Sequence, residues 1–330
     1  MCSTKKILSG LDVLKFLMAL VVVDIHVKGT LFTPPILQEF VIRPIHHLAV
    51  PTFFVISSFL FFRKERYSNE KTSLVLHFVK RLAALYFFWC VVWSPIVFIQ
   101  KDYFHPMTWL TPIYLIREFF FGEVFDASWF FGALLVGVPL IALFMRKLNE
   151  WLVLLSIIVL YELPNSHVLT FDWFLSFQDW FKQYVCERGT IYSFPKGLLW
   201  ICIGYILAKK EVVVWMNRMK SSMAWISALV FFVLQFFVPM LPMILCVVSL
   251  FVAAYAWQLP EHPQLYRRFR TYSILFYVIH GCFKKIPKQL FGWENGPVLF
   301  VVTLAFCFLA SEVILRMKEV KGFGWLRYAY

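Results

Sequence analysis

The chain reads as an all-α integral membrane protein, a bundle of about ten transmembrane helices with the N- and C-termini cytoplasmic. Three observations predict this. Hydrophobic residues make up 61% of the sequence, aromatic residues 20% and charged residues only 15%, whereas soluble domains are roughly half apolar and a quarter charged. The sequence also contains ten apolar runs that approach the ~20 residues needed to cross the hydrocarbon core of a bilayer. Finally, Lys and Arg alternate between rich and poor connections, as expected when positive charge collects in cytoplasmic loops.

The runs lie near 9–28, 46–63, 74–99, 127–146, 150–163, 194–209, 222–238, 240–258, 272–286 and 296–316, the fifth and ninth being short. Pro239 and Pro242 separate the seventh from the eighth, which favours a tight turn over one very long helix. Lys5 and Lys6 before an apolar run imitate a signal peptide. Asp12 and Lys15 interrupt that run and no small-x-small site follows, so it is read as an uncleaved first span. With the N-terminus inside, 21 of the 32 Lys and Arg fall in inner connections and 10 in outer ones, and Lys15 stands within a span. The net charge of +13 is therefore mainly topology, and no nucleic-acid partner is expected. Of seven cysteines, five lie in or beside apolar runs and none forms a CxxC pair, which points to buried thiols rather than a disulfide framework or metal site. With neither repeats nor low-complexity linkers, residues 1–330 form a single transmembrane domain.

Within the first run, LDVLKFLMALVVVDIHVKG, four ionisable residues interrupt the apolar sequence: Asp12, Lys15, Asp24 and His26. An ionisable group in hydrocarbon marks a functional site by default. At about 100° per residue, Lys15 and His26 share nearly one face, roughly 16 Å apart along the axis. Asp12 lies one turn below Lys15 and is suited to pair with it, and Asp24 points the opposite way. A purely structural ion pair and a functional face are both compatible with this pattern.

The second run holds Ser57 and Ser58 among phenylalanines, where small residues usually mark close helix contact. Arg63 and Lys64 end it at the cytoplasmic side. The third opens with His77 and Arg81 on one face; an arginine fork there suits a nucleotide phosphate, and positive-inside anchoring is the simpler account. Two outer connections, 100–126 and 165–194, carry amphipathic aromatic segments suited to the membrane interface. In the ninth run Ser273, Tyr277 and His280 lie on related faces, giving a second intramembrane histidine. No HxxxH, HExxH, GxSxG, Walker or dinucleotide glycine pattern occurs, and no metal is expected.

These motifs together resemble the membrane-bound acyltransferase family 3, bacterial enzymes that esterify surface glycans. GLDVLKFLMALVVVDIH, from Gly10 to His26, is similar to the family's start, with Lys15 where an arginine usually stands. VPTFFVISSFLFFRK resembles its VPxFFxxSGFL signature, with Ser58 at the usual glycine. FVKRLAALYFFW is similar to its arginine-rich third helix, Arg81 matching one arginine and Ala84 standing at a second. SWFFGALL, the run from Arg188 through Pro195 to Gly204, and SILFYVIH ending at His280 extend the likeness over essentially the whole chain.

The resemblance implies a membrane O-acyltransferase, in the bacterial cytoplasmic membrane, that moves an acyl group from cytoplasmic acyl-CoA to a carbohydrate hydroxyl on the far side. Acetyl-CoA is the expected donor and a surface glycan or its lipid-linked precursor the expected acceptor. His26 would then be the general base or transient acyl carrier, with His280 and Ser57 orienting it or stabilising the oxyanion. Arg81 and Lys80 would hold the CoA phosphates, and Lys15 the thioester arm. A secondary transporter or exporter of a glycan precursor, and a catalytically inactive member of a polysaccharide assembly complex, are the alternatives in other classes.

Overall fold

The computed structural model describes residues 8–101, 111–162, 172–186, 193–238 and 240–330. Every regular element among them is helical. In chain order the helices are α1 (Ser9–Val27), the single turn α2 (Pro35–Leu37), α3 (Arg43–Arg66), α4 (Lys71–Lys101), α5 (Thr111–Phe121) and α6 (Trp129–Lys147). They continue with α7 (Glu150–Glu162), α8 (Asp172–Tyr184), α9 (Phe194–Leu207), α10 (Lys210–Arg218), α11 (Ser221–Leu234) and α12 (Met240–Ala256). The last are α13 (Pro263–Phe283), α14 (Lys285–Phe291) and α15 (Pro297–Met317), followed by a 3-10 turn at Gly324–Ala329.

Each of the ten apolar runs coincides with a helix. Among the described residues, four helical stretches are both long and apolar enough to cross a membrane: Pro35–Arg66, Lys71–Val97, Trp129–Lys147 and Pro297–Met317. By contrast α7, α9 and α11 have only 13 or 14 residues, about 20 Å at 1.5 Å per residue. Two helical stretches begin well before their apolar runs: the second at Pro35 rather than near 46, and α13 at Pro263 rather than near 272. Proline at the first helical positions is pre-organised for that role, and the charged stretch YRRFR supplies the first turns that a hydropathy scan discards. The two amphipathic outer segments form α5 and α8; residues 102–110, 163–171 and 187–192 lie outside the described residues, Arg188 among them.

The chain divides into two compact units: residues 1–56, 207–328 and 330 form the first, and residues 57–206 with 329 form the second. In the first unit α1 packs against α12, α13 and α15. A small residue is needed where α1 meets α12: a Cβ on Gly10 would fall inside van der Waals distance of the Ala254 carbonyl. Between α1 and α13 the contact is aromatic, with Phe16 stacked on Phe269 at 4.9 Å and meeting Phe276 edge-on at 5.7 Å. Val23, Val27 and Leu299 close the seam between α1 and α15.

In the second unit the fully buried Tyr86 of α4 stacks on Phe119 and Phe131, with centroids at 4.3 and 5.4 Å. Its hydroxyl donates to Ser128 Oγ at 3.2 Å; buried polar groups need such partners. Gly132 lets α6 approach the carbonyls of Phe119 and Phe120. One end of this unit carries a polar belt in which Arg146 pairs with the buried Glu65, the Tyr205 hydroxyl donates to Glu150 at 3.0 Å, and Arg66 lies 4.8 Å over the Tyr205 ring.

Candidate active site

The site grows from the face of α1 that bears Lys15 and His26. The two ends of that face are joined by a row of rings. The Lys15 ammonium stands 5.8 Å over the ring of Phe53, from α3. Phe53 meets Tyr277 of α13 at 5.4 Å, Tyr277 meets His280 at 6.3 Å, and His280 meets His26 at 4.9 Å. Three helices thus supply one wall running from the lysine to the histidine pair. Nothing in the helical periodicity of α1 alone requires this, because Phe53 and Tyr277 come from elsewhere in the chain.

His280 is fully buried, and its Nδ1 lies 2.9 Å from the Phe276 carbonyl, one turn back on α13. A carbonyl oxygen only accepts, so Nδ1 carries a proton, and it is Nε2 that holds the lone pair whenever the ring is neutral. His26 is partly exposed, so the pair combines a buried imidazole with a partly accessible one. Ser273 does not join them: its hydroxyl donates to the Arg270 carbonyl at 2.8 Å.

The expected Asp12–Lys15 pair is not formed. Arg270 of α13 donates from Nε to Asp12 Oδ1 at 2.8 Å and from Nη2 to Oδ2 at 2.7 Å. A rigid planar fork matches both carboxylate oxygens, which an ammonium cannot do. Arg270 was legible only as one of the inner positive charges; the signal for its role is a buried acid that demands a cation, together with the proline that starts α13 nine residues early.

Asp24, pointing away from this face, has its own network. It accepts from His46 Nε2 at 2.7 Å, from the Thr30 N–H at 3.1 Å and from the Thr30 hydroxyl at 3.0 Å. Lys28, with φ 54°, turns the chain out of α1. A Cβ on Gly29 would collide with Phe300 and Asp24. His46 was read only as the start of a span, and no sequence spacing pairs it with a residue 22 positions earlier.

The remaining candidates belong to the second unit. Ser57 stands one turn beyond Phe53 on α3 and is partly exposed, whereas its neighbour Ser58 is fully buried. Lys80 and Arg81 are exposed on α4, and among the described residues neither forms an ion pair. No three His, Cys, Asp or Glu side chains cluster to hold a metal among the described residues.

The model of the acyltransferase domain family matches residues 8–316, from the first described residue almost to the end of α15. An amino-acid racemase of Enterococcus faecalis is 23% identical over 143 residues, which is 43% of this chain and 20% of that protein. The chain therefore aligns with about a fifth of the length of this curated relative. No solved structure matches. The family match takes in every candidate residue on α1, α3, α4 and α13, and among the described residues four helices are long and apolar enough to span a bilayer: the chain belongs to acyltransferase family 3, as a multi-pass membrane protein and an acyltransferase of groups other than aminoacyl groups.

Proposed function

We propose that this acyltransferase takes an acyl group, acetyl in the simplest case, from cytoplasmic acyl-CoA and transfers it to a hydroxyl of a surface polysaccharide or its lipid-linked precursor. Its setting is the bacterial cytoplasmic membrane, with about ten spans and both termini inside, an orientation supported by the distribution of Lys and Arg. The observation that carries the reading is the contact between His26 and His280, with ring centroids 4.9 Å apart.

His26 takes the proton of the acceptor hydroxyl as the oxygen attacks the thioester carbonyl carbon. The carbon–sulfur bond then breaks, and the imidazolium returns the proton to the CoA thiolate. In the two-step variant His26 attacks the thioester carbon and CoA leaves as its thiolate; the acceptor oxygen then attacks the acyl carbon, the acyl–nitrogen bond breaks, and the hydroxyl proton passes to the thiolate. His280, fixed by the Phe276 carbonyl, orients His26 and shares the charge that develops on it. Lys15 orients the thioester arm through its pantetheine, and its axial separation from His26 of about 16 Å is comparable with a pantetheine arm. Arg81 and Lys80 hold the CoA phosphates, with Arg81 giving bidentate contacts, and Ser57 is a further oxyanion donor.

The test uses the full-length protein in vesicles supplied with acetyl-CoA, with release of free CoA thiol as the readout. Turnover that disappears in His26→Ala supports the enzyme as described. Undiminished turnover in that variant removes His26 from the chemistry.

A further inference from the structure

Asp12 and Lys15 stand three residues apart on α1, a spacing at which opposite charges on a helix normally meet. Both oxygens of Asp12 are instead engaged by Arg270 from α13. Asp12 is 4% exposed, while the Arg270 side chain is 52% exposed, so the guanidinium reaches inward from the accessible side of the pair. Lys15 forms no ion pair among the described residues, and the Phe53 ring lies beneath its ammonium.

A buried carboxylate attracts whichever cation can reach it, and two cations compete here. The arginine fork satisfies both oxygens at once, which the lysine cannot match. Counted as one carboxylate and two cations, the three groups carry one net positive charge, and the cation left without a carboxylate contact is Lys15, beside the row of rings leading to His26. We propose that Arg270 is a positioning residue: by occupying both oxygens of Asp12 it keeps that carboxylate from closing a direct ion pair with Lys15 and leaves the Lys15 ammonium available to the acyl donor. The part concerning the donor rests on the acyl-CoA reading above, whereas the withholding of Asp12 does not.

The experiment compares the wild-type protein, Arg270→Gln, Asp12→Asn and the double variant in vesicles, with acetyl-CoA as the probe. In Arg270→Gln the carboxylate turns to Lys15, and KM for acetyl-CoA rises by roughly tenfold with little change in kcat. The double variant, which removes the competing carboxylate as well, returns KM close to the wild-type value. A double variant as impaired as Arg270→Gln overturns the proposal, because Arg270 would then only tie α1 to α13. Where Arg270→Gln does not fold, Asp12→Asn alone decides: it leaves KM unchanged or lowered, and a KM raised about tenfold overturns the proposal.

A second readout is independent of turnover. Labelling of Lys15 by an amine-acetylating reagent, followed by peptide mass spectrometry, slows in Arg270→Gln and recovers in the double variant. Equal labelling in all forms overturns the proposal. Labelling that follows the expected pattern in a protein without acetyl-CoA turnover leaves the Arg270 inference standing and removes the acyl-CoA reading.

Discussion

His26 of α1 and His280 of α13 present their imidazoles to each other at a centroid distance of 4.9 Å, tilted by 47°. The two residues are 254 positions apart in the chain, and only the close packing of α1 on α13 makes them neighbours. The hydrogen bond from His280 Nδ1–H to Phe276 fixes one ring of the pair.

If the two imidazoles act as a unit, their losses do not multiply. His26→Ala should lower kcat by about 10²–10⁴, the usual contribution of a positioned proton acceptor. His280→Gln should lose less, on the order of 10², and the double variant should be no worse than His26→Ala. Release of CoA thiol measures all three. Losses that multiply in the double variant would show two independent residues.

Lys15→Arg should keep activity or raise it, because a guanidinium retains the charge, adds bidentate donors and lies more favourably over the Phe53 ring. Lys15→Met keeps the length and removes the charge, and it should abolish turnover. KM and kcat for acetyl-CoA check both variants; a Met variant as active as wild type would make the charge at position 15 irrelevant.

Gly10 has a structural role that its neighbours do not share. Its missing side chain admits the Ala254 carbonyl of α12, so Gly10→Ala forces α1 outward or strains the backbone. The expected cost is about 1–3 kcal/mol, as for other overpacked positions. Thermal unfolding in detergent reads it directly. A melting temperature equal to wild type would show that the two helices separate freely at this point.

Helical class and the approximate place of every long element were legible in composition and hydropathy, because the bilayer imposes both. The face shared by Lys15 and His26 followed from periodicity alone. What periodicity cannot give is the partner from another helix. Asp12 and Lys15 are local neighbours suited to pair, yet a better-shaped cation arrives from α13. Phe53 and Tyr277, which connect the lysine with the histidines, look like ordinary core aromatics in sequence. His280 stands out in the sequence as a second intramembrane histidine, whereas His46 opens its apolar run, where polar residues are unremarkable.

The Asp24 network tests how the end of α1 is held. Three donors converge on this carboxylate, the Thr30 N–H, the Thr30 hydroxyl and His46 Nε2. Together they anchor the turn after α1 and the start of α3 to one side chain, two residues from His26. The side chains of His46 and Asp24 are 21% and 10% exposed, so water replaces lost partners poorly. Asp24→Ala orphans all three donors and should cost most, about 1.5–3 kcal/mol for hydrogen bonds to a charged group. His46→Ala leaves both Thr30 bonds in place and should cost less; Thr30→Val keeps the N–H and the imidazole and should cost least. Thermal unfolding of the three variants gives the order, and His46→Ala destabilising as much as Asp24→Ala would show that the imidazole, not the carboxylate, holds the turn.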